Sequence, residues 1–249
     1  MQSPSVDQLT IKIFADGADL KGMKEAAAQP HVKGFTTNPT LMRQAGVTDY
    51  KQFALDVLKL IPDRPVSFEV FADDFPTMEA QGREIASWGS NVFVKVPVTN
   101  TKGEFAGPLL TRLSSAGIKL NVTAIMTNDQ VKRVAAALAK DTPAIVSVFA
   151  GRIADTGRDP VPLMREAVAL LKERPQAELL WASPRELLNI FQADEIGCHI
   201  ITVTGDVIRK LALVGKDLDK YSLETVAMFH KDALSAAFTI PVGSEWVAA

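Results

Sequence analysis

A lysine lies in the middle of an apolar stretch, where it is well placed to act as a nucleophile. The stretch is NVFVKVPVTN, residues 91–100, and Lys95 has valines on both sides. A charged amine costs solvation free energy there unless it is paired, faces a cavity or loses its charge. Burial favours the neutral amine, which can attack a carbonyl carbon and form a Schiff base. The stretch therefore predicts an amine nucleophile on a buried strand.

Schiff-base chemistry also needs groups that move protons to and from the amine, the carbinolamine and the substrate hydroxyls. Side chains two residues apart share one face of a strand. For each predicted strand we can therefore test which residues face the same side as a polar residue near the strand end. This test pairs polar residues near the ends of several apolar runs: Asp16 with Phe14, Thr36 with Asn38, Ser67 with Glu69, Phe93 with Lys95, Asn121 with Thr123, and Ser147 with Phe149. Asp16 and Glu69 are the candidate proton carriers, and Thr123 is a candidate for holding a water molecule.

Short apolar runs alternate with amphipathic stretches along the whole chain. We expect strands at residues 11–16, 34–38, 66–70, 92–98, 119–124, 144–150, 177–183 and 199–204. We expect helices at residues 20–29, 50–61, 76–88, 107–117, 127–140, 159–174, 184–194, 205–214 and 222–237, with Thr127 at the start of the fifth. No long linker divides the eight strand–helix units.

Eight such units in 249 residues are typical of a (β/α)8 barrel, an α/β fold that gathers its strand ends at one mouth. We expect one barrel domain over residues 1–249, with a tail at about 238–249 that takes part in oligomer contacts. A doubly wound open sheet is the main alternative. The glycine-rich turns of nucleotide-binding sheets are absent from the sequence, which favours the barrel.

Two arginines follow the sixth and seventh predicted strands. Arg152 lies in FAGRIADTGRDP and Arg185 in WASPRELL, where it is expected to open a helix beside Ser183. A hydroxyl, a helix N-terminus and a guanidinium together favour an anion, and barrels often bind phosphate near this unit. A surface ion pair is the alternative for each arginine.

Composition excludes several classes of partner. The formal net charge is −2 with both signs interspersed, so we expect neither nucleic acid nor a membrane as a partner. Cys198 is the single cysteine, and the first residues lack a basic region followed by an apolar core. We expect a cytoplasmic protein.

The motifs resemble those of the transaldolases and the small class I fructose 6-phosphate aldolases. The resemblance runs through FADGADL, GFTTNPTL, FVKVPVT, NVTAIMT, SVFAGRI and WASPRE, in this order along essentially the whole chain. It implies a (β/α)8 barrel that uses no metal or organic cofactor, with Lys95 as the Schiff-base lysine. It also implies a homo-oligomer. The number of subunits is left open among a decamer, a pentamer and a dimer.

The resemblance implies roles for the other residues as well. Asp16 would transfer the proton for carbon–carbon cleavage, and Glu69 with Thr123 would manage the water of imine formation. The three-carbon unit and the phosphate would be bound by a further set of side chains: Thr36, Asn38, Asn121, Ser147 and Phe149 for the former, and Arg152, Ser183 and Arg185 for the latter.

Two positions separate the branches of this family. The aldolases resemble one another in having glutamine on the third strand and tyrosine in the sixth-strand motif, where this chain has Glu69 and Phe149. The resemblance therefore implies transfer of a dihydroxyacetone unit, from sedoheptulose 7-phosphate to glyceraldehyde 3-phosphate. Gly17 departs from the pattern, because the family usually has threonine or serine after the aspartate. The alternatives are an aldolase of the same fold, a pyridoxal-phosphate barrel and a non-catalytic phosphosugar-binding barrel.

Overall fold

Eight parallel strands close into a barrel in the computed structural model, which describes residues 5–240. Each strand pairs with its neighbour in chain order, and the eighth returns to the first. The strands are β1 Lys12–Asp16, β2 Val32–Thr36, β3 Val66–Glu69, β4 Val92–Pro97, β5 Leu120–Ile125, β6 Ala144–Val148, β7 Ala177–Trp181 and β8 Ile200–Thr204. The (β/α)8 barrel expected from the alternation is confirmed.

Helices connect the strands. In chain order they are α1 Leu20–Ala27, α2 Pro39–Gln44, α3 Tyr50–Leu60, α4 Phe75–Ala86, α5 Gly107–Ser115, α6 Asn128–Ala137, α7 Ala150–Ala154, α8 Val161–Leu171, α9 Leu188–Glu195, α10 Gly205–Lys210 and α11 Leu218–Ser235. Short 3-10 helices occupy Val6–Gln8 and Leu211–Leu213. The predicted start at Thr127 is confirmed, because its hydroxyl and the Gln130 side chain form a reciprocal capping box at α6.

The chain divides into two compact units. Residues 8–211 form the barrel unit, and the described residues 5–7 and 212–240 belong to the second. In the described part of the second unit, no residue of α11 is buried. The expectation of one domain over residues 1–249 stays a prediction, and most of the predicted tail, residues 241–249, lies outside the described residues.

Two apolar layers hold the barrel. Val92, Val94 and Val96 point outward into the large core between strands and helices, where each is at most 4% exposed. The residues of opposite parity fill the barrel interior, where Phe14 packs in a smaller cluster with Phe93 at its edge. The alternation predicted for β4 is therefore confirmed, and it leaves Lys95 pointing inward.

Gly34 makes room for this interior packing. A Cβ atom at Gly34 would lie 2.5 Å from the nearest ring carbon of Phe14, well inside van der Waals contact. The glycine therefore lets a phenylalanine close the barrel interior below the polar residues.

Several predicted boundaries were wrong at the mouth of the barrel. Strand β2 starts before the predicted residue 34 and ends at Thr36, because Asn38 leaves the sheet to cap α2 with Pro39 in the first turn. Helices α2 and α7 were not predicted. They are six and five residues long, too short to produce a periodic apolar pattern.

Candidate active site

The C-terminal ends of the strands surround a cavity of about 570 Å³. Its wall contains every predicted site residue except Asn121: Asp16, Thr36, Asn38, Glu69, Lys95, Thr123, Ser147, Phe149, Arg152, Ser183 and Arg185. These residues come from strands β1 to β6, from helix α7 and from the segments that follow β2, β6 and β7. The barrel therefore brings together side chains that lie up to 169 positions apart in the chain.

Lys95 lies deep in this cavity and is 7% exposed. Its Nζ atom is 3.2 Å from Oε2 of Glu69 and donates a hydrogen bond of 3.0 Å to the carbonyl oxygen of Thr37. Strands β3 and β4 place Glu69 directly beside Lys95 in the sheet register. The amine is thus both paired with a carboxylate and open to a cavity, which reduces the cost of its burial.

Asp16 lies at the end of β1, where it accepts hydrogen bonds from one hydroxyl and one amide side chain. Thr36 Oγ1 donates to Oδ1 of Asp16 at 2.7 Å, and Asn38 Nδ2 donates to Oδ2 at 3.3 Å. Burial raises the pKa of Asp16 above its ordinary value of 3.8, against the opposing effects of the Lys95 charge and the Thr36 hydrogen bond. A carboxylate with a raised pKa is a stronger base, so Asp16 is suited to proton transfer.

A second polar network joins strands β3, β5 and β6 in the barrel interior. Asn121 Nδ2 donates to Ser67 Oγ at 3.0 Å, and Ser147 Oγ donates to Asn121 Oδ1 at 2.6 Å. The three residues are at most 2% exposed. Asn121 is enclosed by this network and does not line the cavity, whereas Ser147 does. A direct contact between Asn121 and a ligand stays a prediction.

Thr123 leaves one polar atom without a partner. Its Oγ1 atom is buried and forms no hydrogen bond in the described part of the chain, although Thr123 lines the cavity. The next residue, Ala124, has a φ of 63°, and the pairing of β5 with β6 shifts in register there. An orphaned hydroxyl at a cavity wall is a position for a water molecule or a ligand oxygen.

The two arginines lie at the rim of the cavity. Arg152 is exposed, and its guanidinium carbon lies 5.4 Å from the ring centroid of Phe149. Arg185 makes a bidentate ion pair with Asp155, with Nε donating to Oδ1 at 2.8 Å and Nη2 donating to Oδ2. This pair raises the pKa of Arg185 and lowers that of Asp155. The ion-pair alternative for Arg185 is therefore realised in a residue that also lines the cavity.

The expected helix start at Arg185 was wrong. Helix α9 begins at Leu188, and Arg185 belongs to the loop before it, where Oδ1 of Asn189 accepts from the backbone N–H of Arg185 at 2.8 Å. Ser183, in the same loop, has a φ of 56°, a conformation that costs free energy for a residue other than glycine. The side chain of Asn189 therefore orders this loop without extending the helix.

Gly151 fixes the distance between helix α7, which carries Arg152, and the loop after β7, which carries Arg185. Its N–H donates to the carbonyl oxygen of Ala182 at 3.2 Å, and an added Cβ would lie 1.5 Å from the carbonyl oxygen of Ser183. Any side chain at this position would push the helix and the loop apart. The close approach of the backbones therefore holds Arg152 and Arg185 at one edge of the cavity.

Sequence reasoning missed some residues of the cavity wall. Thr202 on β8 lines the cavity, and its Oγ1 lies 2.6 Å from Oγ1 of Thr36. The alternation test would have found it, because Thr202 lies between Ile201 and Val203. Thr40 and Gln44 reach the cavity from the unpredicted α2, and no sequence signal pointed to them.

The fold and the site define a class of protein: a (β/α)8 barrel with an amine and two carboxylates at its catalytic end. Solved structures support the fold alone. A mandelate oxidase mutant aligns with a TM-score of 0.55 at 15% identity, covering 94% of this chain and 81% of the other. A designed cube-shaped protein cage aligns with a TM-score of 0.54 at 11% identity, covering 92% of this chain and 80% of the other.

The chain belongs to the transaldolase/fructose-6-phosphate aldolase family, whose sequence model matches residues 13–240. Relatives named "probable transaldolase" include one from Dehalococcoides mccartyi, 35% identical over 81% of this chain and 90% of its own. One from Herpetosiphon aurantiacus is 35% identical over 81% of this chain and 87% of its own. One from Nitrosopumilus maritimus is 33% identical over 89% and 94%. The protein is therefore an enzyme of the transaldolase family.

Proposed function

We propose that this enzyme transfers a dihydroxyacetone unit between phosphosugars through a Schiff base on Lys95. The donor is sedoheptulose 7-phosphate, the acceptor is glyceraldehyde 3-phosphate, and the products are erythrose 4-phosphate and fructose 6-phosphate. The observation that carries the proposal is the buried amine of Lys95, 3.2 Å from Glu69 at the wall of a cavity of about 570 Å³. Family membership supports it.

The first stage forms the imine. The neutral form of the Lys95 amine attacks C2 of the ketose. A carbon–nitrogen bond forms, the nitrogen gives up a proton to Glu69 and the ketone oxygen takes up a proton. The resulting carbinolamine loses its hydroxyl as water when a second proton reaches it, which leaves an iminium. Glu69 lies within 3.2 Å of the amine and can carry these protons, while Thr123 Oγ1, buried and without a partner in the described structure, can hold the water.

The second stage breaks and remakes a carbon–carbon bond. Asp16 accepts the proton of the C4 hydroxyl, the C3–C4 bond breaks, and its electron pair moves into the iminium to give an enamine. The aldehyde product leaves and a second aldehyde enters. The enamine carbon then attacks this acceptor, whose oxygen regains the proton from Asp16. Water adds to the new iminium, and the first stage runs in reverse to release fructose 6-phosphate and free Lys95. The pKa of Asp16, raised by burial, supports this role because it makes the carboxylate a stronger base.

Polar side chains around the cavity would orient the sugar. In this proposal Thr36, Asn38 and Ser147 bind the hydroxyls of the three-carbon unit, with Asn121 contributing through Ser147 Oγ, from which it accepts a hydrogen bond. Arg152, Ser183 and Arg185 bind the phosphate at the rim. The exposure of both arginines fits a charged group that stays partly solvated.

Phe149 favours transfer over net cleavage. It lines the cavity beside Ser147 and has no hydroxyl that could protonate the enamine. The bound three-carbon unit would therefore wait for an acceptor aldehyde. A fructose 6-phosphate aldolase of the same family, releasing free dihydroxyacetone, is the alternative.

Borohydride trapping tests the mechanism. The enzyme is incubated with fructose 6-phosphate, reduced, digested and analysed by mass spectrometry, with Lys21→Met as a matched control on the exposed face of α1. The three-carbon adduct is expected on Lys95 in the wild type and in the control. An adduct on another lysine, or none, would refute the mechanism. Release of dihydroxyacetone at the same rate with and without acceptor would favour the aldolase.

We also propose that the enzyme is a homo-oligomer of the cytoplasm. Helix α11 supports association, because its apolar side chains include Leu223, Val226 and Phe229, which are 61–69% exposed. A helix of this kind normally buries its apolar residues. Sedimentation velocity should show a species larger than one chain, which Leu223→Glu with Phe229→Glu should dissociate. A monomeric wild type would contradict this part. The single cysteine, Cys198, whose thiol is buried, supports a reducing compartment.

A further inference from the structure

Strand β3 loses its neighbour just before Glu69. Strands β2 and β3 pair at Phe35 with Val66 and at Thr36 with Ser67, and the last bond between them runs from Thr37 N–H to the Ser67 carbonyl at 3.2 Å. Beyond this point the chain turns away into α2. In a parallel sheet alternate residues bond to opposite neighbours, so the backbone N–H and C=O of Glu69 face the side that β2 has left.

The hydroxyl of Tyr50 fills this gap. It accepts a hydrogen bond of 2.7 Å from the Glu69 N–H and donates one of 3.0 Å to the Glu69 carbonyl oxygen. One phenolic oxygen thus satisfies both backbone groups that a strand residue would otherwise pair. Without it, Glu69 would have a free donor and a free acceptor at the point where the sheet ends.

The Tyr50 ring is itself firmly held. It is the first residue of α3, and its ring packs against three aromatic side chains, with centroid distances of 6.2 Å to Phe68, 4.5 Å to Phe71 and 5.5 Å to Trp88. Burial raises the pKa of Tyr50 far above its ordinary value, so the hydroxyl stays protonated and able to donate. A rigid ring that carries a donor and acceptor transmits its position to the backbone of Glu69.

We infer that Tyr50 is a positioning residue for imine formation, which holds the backbone of Glu69 so that its carboxylate faces the Lys95 amine. The inference rests on the proposed function. It assigns to the enzyme a residue outside the cavity wall, which acts only through Glu69. Phenylalanine at this position would keep the aromatic packing and lose both hydrogen bonds, so the hydroxyl can be tested separately from the ring.

The test compares the two tyrosines of the chain. Tyr50→Phe and Tyr221→Phe remove the same atom, and Tyr221 is exposed on α11. The rate of Lys95 imine formation is measured in a single turnover, by quenching with borohydride at increasing times after addition of fructose 6-phosphate. We expect Tyr50→Phe to slow it by about 10- to 100-fold, as small misplacements of catalytic groups do. KM should change less than about twofold, and Tyr221→Phe should behave as the wild type.

A double-mutant cycle separates positioning from general stability. In Glu69→Gln the carboxylate that Tyr50 positions is absent, so adding Tyr50→Phe should slow the remaining reaction by less than about twofold. If Tyr50 only stabilised the fold, Tyr50→Phe would lower the melting temperature by the same amount in the wild-type and Glu69→Gln backgrounds. It would also slow imine formation by the same factor in both.

Each outcome decides a different question. Trapping on Lys95 in the wild type, a slow Tyr50→Phe and non-additivity with Glu69→Gln support the inference. Trapping on Lys95 with an unchanged rate in Tyr50→Phe, or with fully additive effects, overturns the inference and leaves the proposed function intact. No trapping on Lys95 in the wild type refutes the proposed function itself, and the inference with it.

Discussion

The two sides of the cavity are built in different ways. On the inner side, Lys95, Thr123 and Ser147 are 2–7% exposed. Lys95 donates a hydrogen bond to the backbone just after β2, and Ser147 donates one to Asn121 on the neighbouring strand β5. On the rim, the side chains of Arg185 and Asp155 are 47% and 52% exposed and lie on loops after β6 and β7. The inner groups are positioned by sheet register, and the rim groups by contacts between loops.

Because the two sides differ in exposure, charges on them are desolvated and screened to different extents. A charge on the inner side is poorly screened, so its partners and its desolvation control its chemistry. An exposed charge at the rim is screened by water and salt, and it contributes moderately to affinity. The inner side is therefore suited to making and breaking bonds, and the rim to recognising a charged group. The following predictions test this division, from the largest expected effect to the smallest.

Replacement of the inner amine should have the largest effect. Lys95→Met keeps an unbranched side chain of similar length and removes the nucleophile, so kcat should fall by about 10³-fold or more. Steady-state assay of transfer to an acceptor aldehyde measures this loss. The Lys21→Met control should retain wild-type kcat. A Lys95→Met enzyme that retains a tenth of the activity would show that the inner amine is not the nucleophile.

Asp16→Asn should remove activity and add stability. Loss of the proton carrier should lower kcat by about 10²- to 10⁴-fold. Because the folded-state pKa of Asp16 lies above 3.8, the folded protein binds more protons than the unfolded chain just above that pH. Stability therefore falls as pH rises from 3.8 to the folded-state pKa, and the burial penalty is fully present above that pKa.

The neutral amide should escape this penalty. At a pH above the folded-state pKa, Asp16→Asn should melt about 2–4 °C above the wild type for each kcal/mol gained, and the difference should shrink as the pH falls towards 3.8. Thermal unfolding at several pH values measures it. A variant that melts below the wild type above that pKa would mean that the Lys95 and Thr36 interactions outweigh the cost of burial.

Removal of a rim arginine should change affinity and spare the chemistry. Arg185→Ala should raise KM for fructose 6-phosphate by about tenfold, since hydrogen bonds to charged groups contribute about 1.5–3 kcal/mol before screening. The rate with an unphosphorylated ketose should stay within about twofold. Arg158→Ala is the control, because Arg158 is exposed and lies outside the wall of the cavity. Equal effects of Arg185→Ala on both substrates would argue against a phosphate contact.

Salt should produce the smallest effect and should act on the rim only. Raising the ionic strength from about 0.01 M to about 0.15 M shortens the screening length from about 30 Å to about 8 Å. KM for phosphosugars should then rise a fewfold, while the single-turnover rate of imine formation at saturating substrate stays constant. A salt-dependent imine rate would show that the inner side is more solvated than its exposure indicates.

Most of the inner side could be predicted from the sequence, because strand alternation is a local property. The pattern around Lys95 places valines outward and the amine inward in any parallel strand with both faces covered, and the same test paired Asp16 with Phe14. It would also have found Thr202. The boundaries at the mouth were less predictable, since α2 and α7 are only six and five residues long.

The rim could not be predicted in the same way. PREL after β7 looks like a helix start with an early proline, yet Asn189 caps the loop through its side chain and α9 begins at Leu188. The partner of Arg185 is Asp155, thirty residues earlier. Nothing local in the sequence distinguishes that aspartate from its neighbours.

By itself the sequence determined the barrel, the inward direction of Lys95 and the family, because periodicity and short motifs are carried by neighbouring residues. Only the tertiary structure decided which groups meet: Glu69 with Lys95 at 3.2 Å, Arg185 with Asp155, and the hydroxyl of Tyr50 with the backbone of Glu69. These contacts join residues that are 19 to 30 positions apart. Their geometry depends on where strands end and loops approach each other, which no local pattern specifies.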